Sequence, residues 1–227
     1  VPATPSHFTP AFFTFFKALK RHNRREWFAA SKARYQRDVE QPLQAFVTDL
    51  APRLKAISPR FVADSRRTGA SIFRIYRDTR FSADKRPFKT WAAARFPHDA
   101  RGETDSVPGF YLHLEPDDVA AGGGIYHPVP PALLRIRQHI VAAPREWRAV
   151  LAHGLEIEGD MLTRVPAGFA KGHPHAEDLK RKDHYAMAAF TERDACAPGF
   201  LERYVDACER VAPLVRFLTG ALGLRWK

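Results

Sequence analysis

The sequence predicts an α+β fold, with a small antiparallel sheet of about four strands in the middle of the chain flanked by N- and C-terminal helices. Three observations carry this expectation. Apolar residues recur at helical spacing through about residue 60, alternate between about 70 and 127, and return to helical spacing beyond Pro130. A chain of 227 residues with 45% hydrophobic content can bury one substantial core. Nothing in it reads as a linker, a repeat or a low-complexity tract, so residues 1–227 are expected to form one domain.

The first helix is expected from about Pro10 to His22, where Phe12, Phe15, Phe16 and Leu19 make one aromatic face. Thr9 and Pro10 are a cap residue followed by a proline suited to the first turn. Asn23 and Glu26, three apart, predict a capping box for a second helix carrying Trp27, Phe28, Tyr35 and Val39. Pro42 predicts a kink or a fresh start before the stripe of Leu43, Phe46, Val47, Leu50 and Leu54.

Alternation then predicts a strand over 71–77, a weaker one over 89–96, a clean one over 110–115 and its partner over 119–126. Within that partner, Gly122, Gly123 and Gly124 imply either a bulge or a close backbone approach. Helices are expected again from Pro130, from Pro144, over 177–184 and over 200–222, so that 130–227 reads as helical.

Composition narrows the function classes. No run of about 18 apolar residues suggests a membrane span, and the start, which is not Met, has no signal-peptide pattern. With only Cys196 and Cys208, both expected to be reduced, a cytoplasmic location follows. The formal charge is +11, and its distribution is uneven. Residues 1–100 hold 20 Lys+Arg against 8 Asp+Glu, a net of +12, whereas 101–227 hold 16 against 17. Such asymmetry points to an anionic partner, a small molecule or a nucleic acid.

The stretch 71–90 concentrates that surplus. Arg74, Arg77, Arg80, Lys85, Arg86 and Lys89 lie among Phe73, Tyr76, Phe81 and Phe88, opposed only by Asp78 and Asp84. Residues 74–90 resemble the central block of a family of bacterial conserved hypothetical proteins catalogued as domain of unknown function 2461. Residues 23–28, 108–115 and 122–126 match further blocks of that family in order. The resemblance covers nearly the whole chain and implies a single α+β domain. It implies no reaction and no catalytic residue.

Three functional readings follow from the residues. In the first, Arg74, Tyr76, Arg77, Asp78, Arg80, Asp84, Lys85, Lys89 and Tyr126 form an anion site, with guanidinium forks for oxygens and with Tyr76, Phe81 and Phe88 for stacking. The second is an enzyme of hydrolase or transferase type acting on a small anion. Its acid–base groups are His113 and Glu115, beside Tyr111 on one strand face, and the arginines are its clamps. The third is a structural protein whose arginines pair internally with Asp78 and Asp84.

No cofactor is expected, because phosphate-loop, dinucleotide and nucleophile-elbow patterns are lacking. No metal site is expected either, since His173, His175 and His184 fit no tight ligand spacing.

Overall fold

The computed structural model describes residues 6–66, 71–102, 104 and 106–227. Helices α1 (Pro10–Arg21), α2 (Arg25–Ala30), α3 (Lys32–Tyr35) and α4 (Gln41–Ile57) form the N-terminal layer. Strands β1 (Ala92–Pro97), β2 (Gly109–Glu115) and β3 (Asp118–Ile125) follow. Then come α5 (Pro130–Ala142), α6 (Pro144–Leu151), α7 (Ala176–Leu179), β4 (His184–Phe190), α8 (Glu192–Cys196) and α9 (Phe200–Ala221). The strands make one antiparallel sheet in the order β1-β2-β3-β4. The fold is therefore α+β, with a four-stranded antiparallel sheet between helical ends. No helix among the described residues is long and apolar enough to cross a membrane.

The core follows from the two periodicities. Phe12, Phe13, Phe15, Phe16 and Leu19 are buried on α1, and Phe46 of α4 packs its ring against Phe8, Phe200 and Tyr204. On the sheet, Phe96, Phe110, Leu112, Leu114 and Val119 occupy one face and are buried. Burial of each such side chain favours folding by roughly 1.5–3 kcal/mol. The long helix α9 lies against β2, β3 and β4 and also touches α4, so it joins the sheet to the N-terminal layer. Pro42 opens α4 directly after one π-helical turn over Gln36–Glu40. The lost amide donor of the proline is thus accommodated at a junction rather than inside a regular helix.

Several expectations are corrected. Residues 71–77 do not form a strand of the sheet; they make only single bridges, Ile72 to Ala94 and Tyr76 to Phe88. The cause is a slip in pairing. Phe73 donates its amide to Ala93 and Ile75 accepts from Lys89, so one residue on the first side faces three on the second. Residues 90 and 91 lie in that surplus, which breaks the ladder and re-aims side chains as a bulge does. The fourth strand is instead β4, in a region expected to be helical; its sequence, His-Tyr-Ala-Met-Ala-Ala-Phe, alternates too weakly to announce a strand.

The glycines of β3 explain how β4 is accepted. A Cβ on Gly122 would stand 2.0 Å from the Ala186 carbonyl oxygen, and Gly124 adopts φ +144°. The pairing of β3 with β4 is otherwise continuous, so close approach, not a bulge, is the reason for the glycines.

Asn23 does not cap α2, whose cap position is Arg24. The buried Asn23 amide instead donates to the Phe88 carbonyl (2.9 Å) and accepts from the Phe88 amide (3.1 Å). Phe88, at the open end of a broken ladder, thereby receives both of its missing partners. Thr9 holds the cap position of α1 without a side-chain bond. The helix expected over 177–184 is confined to Ala176–Leu179.

Candidate functional site

The structure divides the basic stretch into a tip and a base. At the tip, Asp84 accepts from Arg77 (2.6 Å) and Arg86 (2.7 Å), Asp78 accepts from Arg80 (2.7 Å), and Lys85 donates to the Thr79 carbonyl (2.9 Å). Bonding by Arg86, and then by Arg77, holds the Asp84 carboxyl well below the usual carboxylate range; Arg80 lowers that of Asp78. Arg77, Arg80 and Arg86 are thus matched by carboxylates within the tip itself. Phe81 is 94% exposed beside Arg80 and contacts no other ring among the described residues.

The base is different. Here Lys89 donates to the Arg74 carbonyl (2.7 Å) and lies over the rings of Phe73 and Trp91, 5.4 and 4.9 Å from their centroids. Burial, then the nearby charge of Arg74, lowers its pKa. Among the described residues no carboxylate pairs with Arg74, Lys89 or Lys32. Phe88 is buried and stacks on Phe28 at 4.2 Å, and the exposed Tyr76 meets Phe28 edge-on and Phe88 at a tilt.

Between the base and the N-terminal helices lies a cleft of about 230 Å³. Phe28, Lys32, Tyr35, Glu40, Leu43 and Gln44 line one side, and residues 72–76, including Arg74 and Tyr76, line the other. Glu40, its one carboxylate, is itself engaged. Phe28 and Tyr35 read in the sequence as part of an apolar helix stripe, and nothing in the pattern singles out Lys32; the dense aromatics at 27 and 28 are the available signal.

The second group lies on the sheet face opposite the core. Register places Arg95 across from Tyr111 and Ala93 across from His113, so Tyr111, His113 and Glu115 share this face, as expected. The Tyr111 hydroxyl meets His113 Nδ1 at 3.2 Å, His113 Nε2 lies 3.5 Å from Glu115, and Thr90 donates to the other Glu115 oxygen at 3.0 Å. Burial, with a smaller contribution from Asp118, pushes the Tyr111 hydroxyl up to about 12, so it stays protonated. Phe73 and Trp91 wall the group, with ring contacts to Tyr111 and His113 respectively.

Such a row can hold and pass a proton, but the structure does not bring all its expected partners to it. Phe73 faces the row, whereas the next residue, Arg74, lines the cleft toward the helices. The cation that reaches this face from the basic stretch is Lys89. Tyr126 is at the far end of β3, against His127 and Tyr185.

The histidines at 173 and 175 adjoin, but His184 does not join them. His175 contacts Asp178, the His175 amide donates to His173 Nδ1, and His184 is buried beside Trp147. Cys196 and Cys208 are free thiols.

Residues 11–217 match the family described as conserved hypothetical protein, domain of unknown function 2461. No curated protein and no solved structure matches the chain. The match takes in the helical layer, the central block, the sheet and nearly all of α9: the chain belongs to this family of conserved hypothetical proteins.

Proposed function

We propose that the protein binds a small anionic ligand in the cleft between the N-terminal helices and the base of the central block. Arg74 and Lys32 would supply the charge, and Phe28, Tyr35 and Tyr76 the apolar walls. One observation carries the reading: Arg74 is a cation at an aromatic-lined cleft with no carboxylate partner among the described residues, whereas the tip arginines are paired. A guanidinium fork in that setting suits a carboxylate or a phosphate on an aromatic or aliphatic body.

Size decides between ligand classes. The cleft, at about 230 Å³, lies below the roughly 300–1,000 Å³ of drug-sized sites. A nucleic-acid strand would need unpaired cations along a track, yet the tip arginines are already matched. The small-molecule form of the anionic partner is therefore the better supported.

Thermal unfolding with a panel of small aryl and alkyl phosphates and carboxylates tests the proposal, because a ligand of the native state raises its midpoint. At least one should do so in the native chain. The Arg74→Glu variant, folded and equally stable without ligand, should show no such rise. Equal responses in the two proteins would overturn the reading.

A further inference from the structure

We propose that His113, Glu115 and Asp118 bind a divalent transition-metal cation of the zinc type on the open face of the sheet. This inference is independent of the cleft, which none of the three residues lines. Their nearest ligand atoms all fall within 4.8 Å of one another. His113 Nε2 stands 3.5 Å from Glu115 and 3.8 Å from Asp118.

Those spacings are the first argument. A protonated histidine bonded to a carboxylate sits about 2.7–2.9 Å from its acceptor, so 3.5 and 3.8 Å are too long for direct bonds. Around a tetrahedral ion with bonds of about 2.1 Å, neighbouring ligand atoms are roughly 3.4 Å apart. The two histidine–carboxylate separations are thus close to those of ligands on a shared ion, and the third pair lies within 4.8 Å. The exposed Asp118 carboxylate is free to rotate and close the set.

Strand pairing gives the second argument. Glu115 and Asp118 face each other directly across the β2–β3 turn, and like charges in that position destabilise a hairpin. A cation between them removes the conflict. His113, two residues before Glu115 on β2, adds the nitrogen on the same face.

The outer shell is the third. Ligating histidines and carboxylates are commonly oriented by hydrogen bonds to their other atoms. His113 Nδ1 meets the Tyr111 hydroxyl at 3.2 Å, leaving Nε2 for the ion. Thr90 occupies Glu115 Oε1 at 3.0 Å, leaving Oε2. Thr90 reaches that position because it lies in the pairing surplus beside β1.

One nitrogen and two carboxylates suit zinc, cobalt or manganese better than calcium, which takes six to eight oxygens. Three protein ligands on an accessible face leave further positions for water or for an oxygen of a substrate. A cation there would occupy His113 Nε2 and remove that atom from proton transfer.

The test is titration of the chelator-treated protein with Zn²⁺ and with Co²⁺, followed by calorimetry and by the visible absorption of bound Co²⁺. Native protein should take up about one equivalent, the number that three ligands for one ion imply. Affinity should fall at least tenfold in Asp118→Asn, Glu115→Gln and His113→Gln, and about tenfold in Tyr111→Phe, as for loss of an outer-shell partner. Arg74→Glu should bind the ion normally, so failure of the cleft proposal would leave this one standing. Unfolding in chelator shows which variants are folded; Asp118, 69% exposed at its side chain, is the variant least able to disturb packing. The proposal is overturned if native protein shows no saturable uptake, if Asp118→Asn binds unchanged, or if uptake is lost in His175→Gln instead.

Discussion

The tip and the base of the central block are built from the same residue types, yet they do opposite things with charge. Residues 77–86 alternate cations and carboxylates closely enough to match arginine with aspartate two to seven positions away. The base has no carboxylate of its own. Its cations are held by carbonyls, rings and the N-terminal layer: Lys89 by the Arg74 carbonyl and two aromatic faces, and Phe88 by Asn23. A count of charges treats the two as one basic patch. Geometry separates a hairpin end whose arginines are engaged by its own aspartates from a cationic rim on a cleft, where Arg74 has no carboxylate partner among the described residues.

The sharpest way to break this comparison is to unseat the base. Asn23→Ala removes two buried hydrogen bonds and leaves the Phe88 amide and carbonyl unpartnered, which should cost about 2–3 kcal/mol in denaturant unfolding. A change below about 0.5 kcal/mol would show that the base is not anchored there. Next in size is ligand binding. Arg74→Glu should weaken the best small anion at least tenfold, about 1.4 kcal/mol by the usual conversion, while Arg80→Glu should leave affinity within a factor of two.

Acid separates the two regions from a third. His184, with both ring nitrogens buried and without a hydrogen-bond partner among the described residues, has its pKa lowered from 6.5 to about 3, first by burial and then by the charges of Arg181 and Arg137. Its folded pKa is depressed, so the unfolded chain binds the extra proton. Stability is full above about 6.5 and is lost as pH falls from there toward about 3. The slope contributed by this one residue is at most about 1.4 kcal/mol per pH unit. Midpoints measured from pH 7 to 4.5 should fall less in His184→Phe than in the native chain.

The tip should be indifferent over that range. The depressed carboxyl of Asp84 stays ionised until well below its ordinary value of 3.8. Asp84→Asn, which frees the exposed Arg86 and the half-buried Arg77 guanidinium groups, should leave the midpoint at pH 7 within scatter. A clear loss would mean that the tip braces the base and that the two are not separable.

Much of this architecture was legible in the chain. The strand at 110–115 declared itself by strict alternation, and its polar side chains do share one face. The long aromatic helices at both ends followed from their spacing. What escaped depended on partners far away in sequence. His184 to Phe190 contains three alanines and a methionine and forms a strand because the glycines of β3 admit its backbone. Asn23 looked like a cap because its nearest candidates for bonding were local; Phe88, its actual partner, is 65 positions on. The opposed carboxylates of Glu115 and Asp118 were hidden in turn chemistry, since Pro116, Asp117 and Asp118 read together as the turn between two strands.

The pairing surplus beside β1 has a consequence beyond the broken strand. Lys89 is tied to the backbone carbonyl of Arg74, a residue of the cleft lining, and the next residue, Thr90, is tied to Glu115 on the open sheet face. Adjacent links of the chain therefore hold two separate surfaces, and a displacement on one has a covalent route of a single peptide unit to the other. Any free energy carried along that route must be equal in both directions. If a cation at Glu115 tightens the grip of the cleft on an anion, the anion must tighten the grip on the cation by the same factor.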